Sequence, residues 1–534
     1  MKKIFCLAVL AALAAGLVFA GGSQSKSSAK GITFTVALEG DIEALDPGVA
    51  WDFTTNQVTN QITEGLVTFD ENNNIIPLLA KSWRQTDETT YVYDVRDDIV
   101  FSDGTKMTMD DVLFSFERAR NPDGGTWFSD FFGDVDNFSV NGWQFIIKLS
   151  TPSAVFKYIP ATGAGRIISK AYYEKHADNF GTATGGIVGT GPFAFQSWTS
   201  GQQITLTKNT NYWDKAKLAA NDVGTVVYRI ISDDNARLVA LQTGAVDFSV
   251  NLNEDMLPQL NTDKNLTVTT RDSQFLVYLA LNTGRAPMND VNVRRAVSRA
   301  LNLPEFHRNI IKSAGAPGNV LPFGQALYGE NASRWQQYLG TKNYSFDLAA
   351  AKQFLSRSAY PNGFTCSLVV GESPLRNQRA LYIQEALKAL SITVNIVKTT
   401  NEEESTYQTG GILDANGNRD YDMILGGWES DYPDPNANLE ILYVSSQAGE
   451  DGYNSAAYQN PKVDELIASQ LRIVDPTRRF EIQSQLADII VDEVPYIIFD
   501  YSARISALNK KYTGVAATAA WLWSLPIHNV KAAK

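Results

Sequence analysis

Short bursts of apolar residues recur through the chain, and the spacing inside each burst predicts an element. Thr33 to Leu38 and Thr90 to Val95 have strand composition, with β-branched and aromatic residues bounded by turn formers. Phe193 to Trp198 and Gln203 to Lys208 read as a hairpin joined through Ser200-Gly201. Phe275 to Leu281 is continuously apolar, the mark of a buried strand. Helical spacing runs from Gln57 to Leu66, with Gly65 near its end, and from Asp233 to Thr243, where Gly244 stops it before the strand Val246 to Val250. Asp290 to Leu301 sets Val293, Ala296, Val297, Ala300 and Leu301 on a helix. Thr108-Met109-Asp110-Asp111 matches a capping box, and the helix behind it carries Val112, Leu113 and Phe116 until Asn121-Pro122. Past residue 366 the alternation becomes regular. Strand 366–370, helix 375–390, strand 392–397 and strand 421–425 predict a βαβ-type unit. Two amphipathic helices, 461–473 and 476–491, and the strand Tyr496 to Phe499 follow. The whole reads as α/β.

One stretch stands apart. After the apolar run Tyr421 to Leu425 come Gly426-Gly427-Trp428-Glu429-Ser430-Asp431-Tyr432-Pro433-Asp434-Pro435. Two glycines that admit a close approach, then two prolines, predict a rigid loop at a strand end. Open α/β sheets place ligands outside the carboxyl ends of their strands. Asp431 would then offer a fixed negative charge to a positive ligand group, and Trp428 a flat apolar wall. The same residues also fit a turn-capping Asp and a core Trp.

The chain has 534 residues, enough for two to four domains, and 44% of them are hydrophobic. The net charge of −12 argues against a nucleic-acid or anionic-membrane partner. Lys2-Lys3, the apolar run Ile4 to Phe19 and the small residues Val18 and Ala20 read as a secretory signal peptide (1–20) cleaved after Ala20. The run is slightly short for a membrane span, the alternative reading. Gly21 to Lys30 reads as a flexible tether. The product would be exported and soluble. It would keep one cysteine, Cys366, in a strand pattern that makes it an inert buried thiol. No cysteine follows the cleavage site to accept a lipid.

Catalytic and metal constellations are missing. The three histidines, His176, His307 and His528, have no second ligand at metal spacing. No phosphate-binding Gly-rich loop and no nucleophile elbow occur. Gly189-Thr190-Gly191 precedes Pro192 and a strand, so it is a turn and not a dinucleotide loop. Asp110-Asp111 and Asp97-Asp98 could form acid/base pairs, but adjacent acids at a helix start usually cap it. No catalytic residue, metal or cofactor is expected; a secreted hydrolase is the alternative from another class.

Five ordered blocks carry a resemblance to a known family. The first is Leu45-Asp46-Pro47 with Glu64-Gly65-Leu66, continued by Ala80-Lys81-Ser82-Trp83, Tyr91 to Arg96, Phe101-Ser102-Asp103-Gly104 and Thr108 with Asp111-Val112. The others are Gly189 to Phe193 with Lys208-Asn209 and Tyr212-Trp213; Leu241 to Asp247; Asn282 with Pro287, Asp290, Arg294 and Ala296; and Gly427-Trp428 with Asp431 and Asp434-Pro435. The chain resembles the bacterial extracellular solute-binding proteins of family 5, which serve ABC importers of oligopeptides, dipeptides and nickel complexes. The resemblance implies a type II periplasmic-binding-protein fold: two lobes around a ligand cleft plus an extra third domain. Lobe I would comprise 31–77, 186–283 and 505–534, the extra domain 78–185, and lobe II 284–504.

It also implies the function: a periplasmic substrate-binding component, expected to be a monomer, that delivers a peptide to the membrane permease subunits. An oligosaccharide is the alternative ligand, since the chain is rich in aromatic residues. In the family's peptide binders two stretches grip the ligand backbone, here Trp51 to Phe53 and Gly427 to Glu429. Asp431 matches the anchor for the peptide α-ammonium. Trp51 would stack on the ligand or narrow the cleft. Leu425 stands where some members place an arginine for a ligand carboxylate, and Glu402-Glu403-Glu404 could favour basic ligands or simply face solvent.

Overall fold

A computed structural model of the chain describes residues 31–312, 315–342, 345–519 and 522–534. The expected signal peptide and tether lie outside the described residues. A single large sheet organises the rest. Besides the two-residue strand Ala316–Pro317, which pairs with the last of them, its strands in chain order are β1 (Ile32–Leu38), β2 (Phe193–Thr199), β3 (Gln203–Lys208), β4 (Val223–Ile230), β5 (Phe248–Val250), β6 (Leu266–Leu281), β7 (Thr365–Gly371), β8 (Thr393–Thr399), β9 (Met423–Glu429) and β10 (Tyr496–Asn509). They lie side by side as β8-β7-β9-β6-β10-β5-β1-β4-β3-β2.

Two of these strands span both halves of the sheet. β6 and β10 run antiparallel from Leu266 opposite Asn509 to Ala280 opposite Tyr496. At one end β6 pairs with β9; at the other, β10 pairs with β5. The register slips between Asp272 and Leu276, in the middle of the ribbon. The apolar runs at 275–281 and 496–499 mark only one end of each strand. The other end of β6, Thr267 to Asp272, is mostly exposed and polar, so it lacks the pattern that betrays a strand. The two expected lobe crossings differ in kind: 283/284 follows β6, whereas 504/505 falls inside β10.

The alternation of side chains splits the core. On β9, Met423 and Leu425 face one buried cluster and Ile424 faces another, so helices cover both sides of this half of the sheet. Phe34, Val36 and Tyr228 anchor a third cluster that extends into a separate four-stranded sheet between Ala80 and Leu149. The helix Met109–Arg120 packs on that sheet, with Phe116 among the rings of Phe138 and Phe145. Its capping box is present: the Thr108 N–H donates to Asp111 Oδ2 at 2.7 Å, and the Asp111 N–H to Thr108 Oγ1 at 3.3 Å. Asp110 and Asp111 therefore open a helix. The molecule is an α/β protein of two lobes, joined through the β6/β10 ribbon, with the small-sheet domain as an addition. That domain reaches the β9 lobe through Arg472, paired with Asp134 at 2.5 Å, and through the Ala154 N–H on Leu471 O.

One helix is displaced from its predicted place. It spans Phe53–Ile62, with Asp52 as cap accepting the Thr55 N–H at 2.8 Å. It buries Thr55, Asn56, Gln57, Thr59 and Gln61, so its sequence carries no apolar stripe to fix its ends.

Candidate functional site

The Gly-Gly-Trp-Glu stretch is strand, not loop. β9 continues to Glu429, with Gly427 opposite Val277 and Glu429 opposite Phe275. The turn begins at Ser430. The glycines serve the two sheet faces: a Cβ on Gly427 would collide with the Phe275 ring, and one on Gly426 would lie 2.7 Å from the Tyr278 ring. They make room for rings of β6. On its other side β9 pairs with β7 only at Met423 and Ile424. From Leu425 to Glu429 that edge has no strand partner among the described residues.

Trp428 points away from Gly427 and Glu429, as strand alternation requires. Its ring packs 5.2 Å from that of Tyr453, and its Nε1–H donates to Ala437 O at 3.3 Å. It is half-buried and holds the strand against the helix Asn436–Tyr443. Glu429, on the opposite face, is paired with Arg504 of β10 at 2.6 Å, both 8% exposed. Burial still holds its pKa above the ordinary value, against the pull of Arg504.

Asp431 is the second residue of the turn. Its backbone carbonyl accepts the Trp523 Nε1–H at 2.8 Å, which ties the turn to the C-terminal segment. Its carboxyl has no ion-pair partner among the described residues. Burial first, then the charges of Glu429 and Glu440, push its pKa up to about 8. Three residues on, Asp434 receives both terminal nitrogens of Arg479 at 2.6 Å and caps Asn436 at 2.9 Å. Pro435 opens the next helix directly, so the second proline starts a helix and does not only end a turn.

Residues before and at the start of the Phe53–Ile62 helix lie nearby. Trp51 is 37% exposed and packs its ring 5.4 Å from Phe128 and 6.0 Å from Phe131. Phe131 in turn meets Tyr432 at 6.3 Å. Phe53 is the first residue of the helix and lies under the Arg504 guanidinium, 5.6 Å from its ring centre. Phe53 and Arg504 therefore join one wall to Glu429. The Leu45-Asp46-Pro47 turn before them is fixed by a buried pair, Asp46 with Arg118, at 2.6 and 3.0 Å.

Other motif residues prove to be struts. Glu64 accepts from Tyr212 and from Trp213, both at 2.8 Å, and Asn282 donates to Arg419 O and Tyr421 O. Glu402 and Glu403 are exposed at a helix start, whereas Glu404 is buried and paired with Arg376. Cys366 is buried in β7, and burial raises its thiol to about 12, so it is unreactive. Among the described residues no acid–histidine–cysteine group could hold a metal. Arg504 was not singled out from sequence, although a charge in the apolar run around Ile505 and Ala507 is an available signal.

Comparison with known proteins decides the family. The model described as "Bacterial extracellular solute-binding proteins, family 5 Middle" matches residues 74–450. The chain belongs to this family. Among family 5 relatives, the probable D,D-dipeptide-binding periplasmic protein DdpA of Escherichia coli is 28% identical over 483 residues, 89% of each chain. The periplasmic binding protein DppA of Helicobacter pylori, solved in complex with peptide STSA, superimposes with a TM-score of 0.77 at 25% identity, over 95% of this chain and 99% of that one. The oligopeptide-binding protein AppA of Bacillus subtilis, solved with a nonapeptide, has the same fold, with a TM-score of 0.75 at 21% identity, over 95% of this chain and 100% of that one.

Proposed function

We propose that this solute-binding protein captures a peptide between its lobes and delivers it to the permease of an ABC importer. The observation that carries the reading is Asp431: a half-buried carboxyl, pushed up to about 8, with no cation among the described residues to answer it. A peptide α-ammonium would supply that cation, and a charge-assisted contact there contributes roughly 1.5–3 kcal/mol. The unpaired edge of β9 from Leu425 to Glu429 suits the rest of the ligand. An extended peptide laid along it would add a strand through main-chain hydrogen bonds, independent of side chain. Gly427 and Glu429 serve here through their backbones, and Trp428 as the support behind them. Trp51 and Phe53 form the facing wall. The relatives named for a D,D-dipeptide and for peptide STSA agree with this reading.

Closure would bend the β6/β10 ribbon, because a ligand touching both lobes favours the state in which both contacts exist. Native mass spectrometry of the purified protein, followed by thermal-shift screening after ligand removal, tests the function. A ladder of peptide masses, and stabilisation by about 2.7 kcal/mol at 100 times the Kd, is expected. A hexose series, or turnover of a chromogenic peptide, would overturn it.

A further inference from the structure

A cavity of about 310 Å³ opens beside the β9 edge, between Gly426, Phe275 of β6, the segment 251–255, the start of the helix Pro374–Leu387 and residues 502–504 of β10. Its size is at the low end of ligand pockets, roughly 300–1,000 Å³. Three arginines line it, and each already has its own acid. Arg376 is paired with Glu404, Arg379 with Asp500 at 2.7 Å, and Arg504 with Glu429 at 2.6 Å. The Arg379–Asp500 pair is almost wholly buried, at 4% and 1% exposure.

Glu254 is the exception on this wall. Both of its carboxyl oxygens are shielded from solvent, and neither has a well-formed hydrogen bond. Burial pushes its pKa to about 7 and nearby Asp500 adds to the rise, while Arg379 and the Ala503 N–H offset it only in part. Asp255 adjoins it on the same wall. With the three arginines paired, Glu254 and Asp255 are the lining charges that have no ion pair among the described residues. An anion would leave the Glu254 carboxyl unanswered, and an apolar side chain would leave it unmatched. A cation with N–H donors answers both problems.

We propose that this cavity is a second ligand subsite, in which Glu254 receives the ammonium or guanidinium of a basic side chain of the bound peptide. The assignment rests on the peptide reading above and adds its selectivity. Position follows from the strand. Glu429, which holds Arg504 of the cavity wall, lies two residues before Asp431, and Gly426 lies five residues before it. At roughly 3.3 Å per residue this is about 7–16 Å along the edge, which selects the third to sixth residue of a peptide anchored at Asp431.

The test uses the full chain and a set of hexa-alanine peptides with a free amino terminus. A single Lys, or its uncharged isostere norleucine, is placed at each of positions two to six, and affinities are read by calorimetry. At one position between three and six, Lys is expected to bind at least tenfold tighter than norleucine. Glu254→Gln should reduce that ratio below threefold and leave the norleucine peptide unchanged within threefold. Peptides that bind with no lysine preference at any position would overturn the subsite and leave the peptide function standing. A preference that survives Glu254→Gln would also overturn it. Should that variant fail to fold, the wild-type Lys/norleucine ratios still decide. No binding of any of the peptides, Lys or norleucine, to the wild-type protein would overturn the peptide reading and the subsite with it.

Discussion

Asp434 and Asp431 lie three residues apart, and their surroundings treat a carboxylate in opposite ways. Asp434 is buried with a bidentate arginine and a capped backbone N–H, so all its strong acceptor directions are used. Asp431 has neighbours of its own sign, Glu429 and Glu440, and its carboxyl is pushed up to about 8. Pairing of the first kind holds a fold together. A charge left unmatched costs stability, and a protein gains from keeping one only where something else arrives to match it. The same contrast recurs at Glu254, set among three satisfied ion pairs.

The largest effect should come from breaking the satisfied side. Arg479→Met leaves Asp434 buried and unpaired, and urea unfolding should show a loss of about 3–5 kcal/mol. A loss under 1 kcal/mol would mean that water reaches this wall and that the contrast is false. Gly427→Ala comes next. Its methyl group would meet the Phe275 ring, so stability should fall by about 1–3 kcal/mol, in the ligand-free protein as well. Were Gly427 kept for ligand approach alone, unfolding would be unchanged and only affinity would suffer.

Asp431→Asn should act in the other direction on the empty protein. A folded-state pKa raised above the unfolded value means that the stability present at low pH is lost as pH rises toward about 8. Removing the charge should therefore raise the ligand-free Tm at pH 8 by about 1–3 °C, while peptide affinity falls at least tenfold. The smallest effect is a proton. At pH 7 the empty Asp431 is largely protonated, and an arriving ammonium favours the ionised form. Binding should release a fraction of a proton, visible as a calorimetric enthalpy that varies with buffer. Affinity should rise about twentyfold from pH 6 to 7.5 and then level off as the peptide's own amino group, with a pKa of about 7.7–8.0, loses its proton. Uptake of a proton on binding would contradict the anchor.

Local chemistry was legible in the sequence and long-range partnership was not. The capping box at Thr108–Asp111 and the hairpin of β2 and β3 need only neighbouring residues, and both stand where the pattern put them. The role of Gly426 and Gly427 depends on which rings of β6 lie opposite, more than 140 residues away in sequence, so a strand was read as a loop. The polar half of β6 and the helix Phe53–Ile62 lacked an apolar signal for a different reason: one is exposed and the other buries polar groups. Asp431 was marked by its proline-rich setting and by family resemblance. Its unmatched charge is a property of Glu429, Glu440 and the absence of a nearby arginine among the described residues, which only the fold assembles. Glu254 and Arg504 carry no motif at all.

The central claim is that Asp431 answers a ligand ammonium, and a calorimetric cycle tests it most directly. A bound peptide and its N-acetylated form are titrated into the wild-type protein and into Asp431→Asn. Acetylation should weaken wild-type binding at least tenfold and the variant's by less than threefold, because the two changes remove the same contact. Equal affinity of the wild-type protein for both peptides would contradict the account.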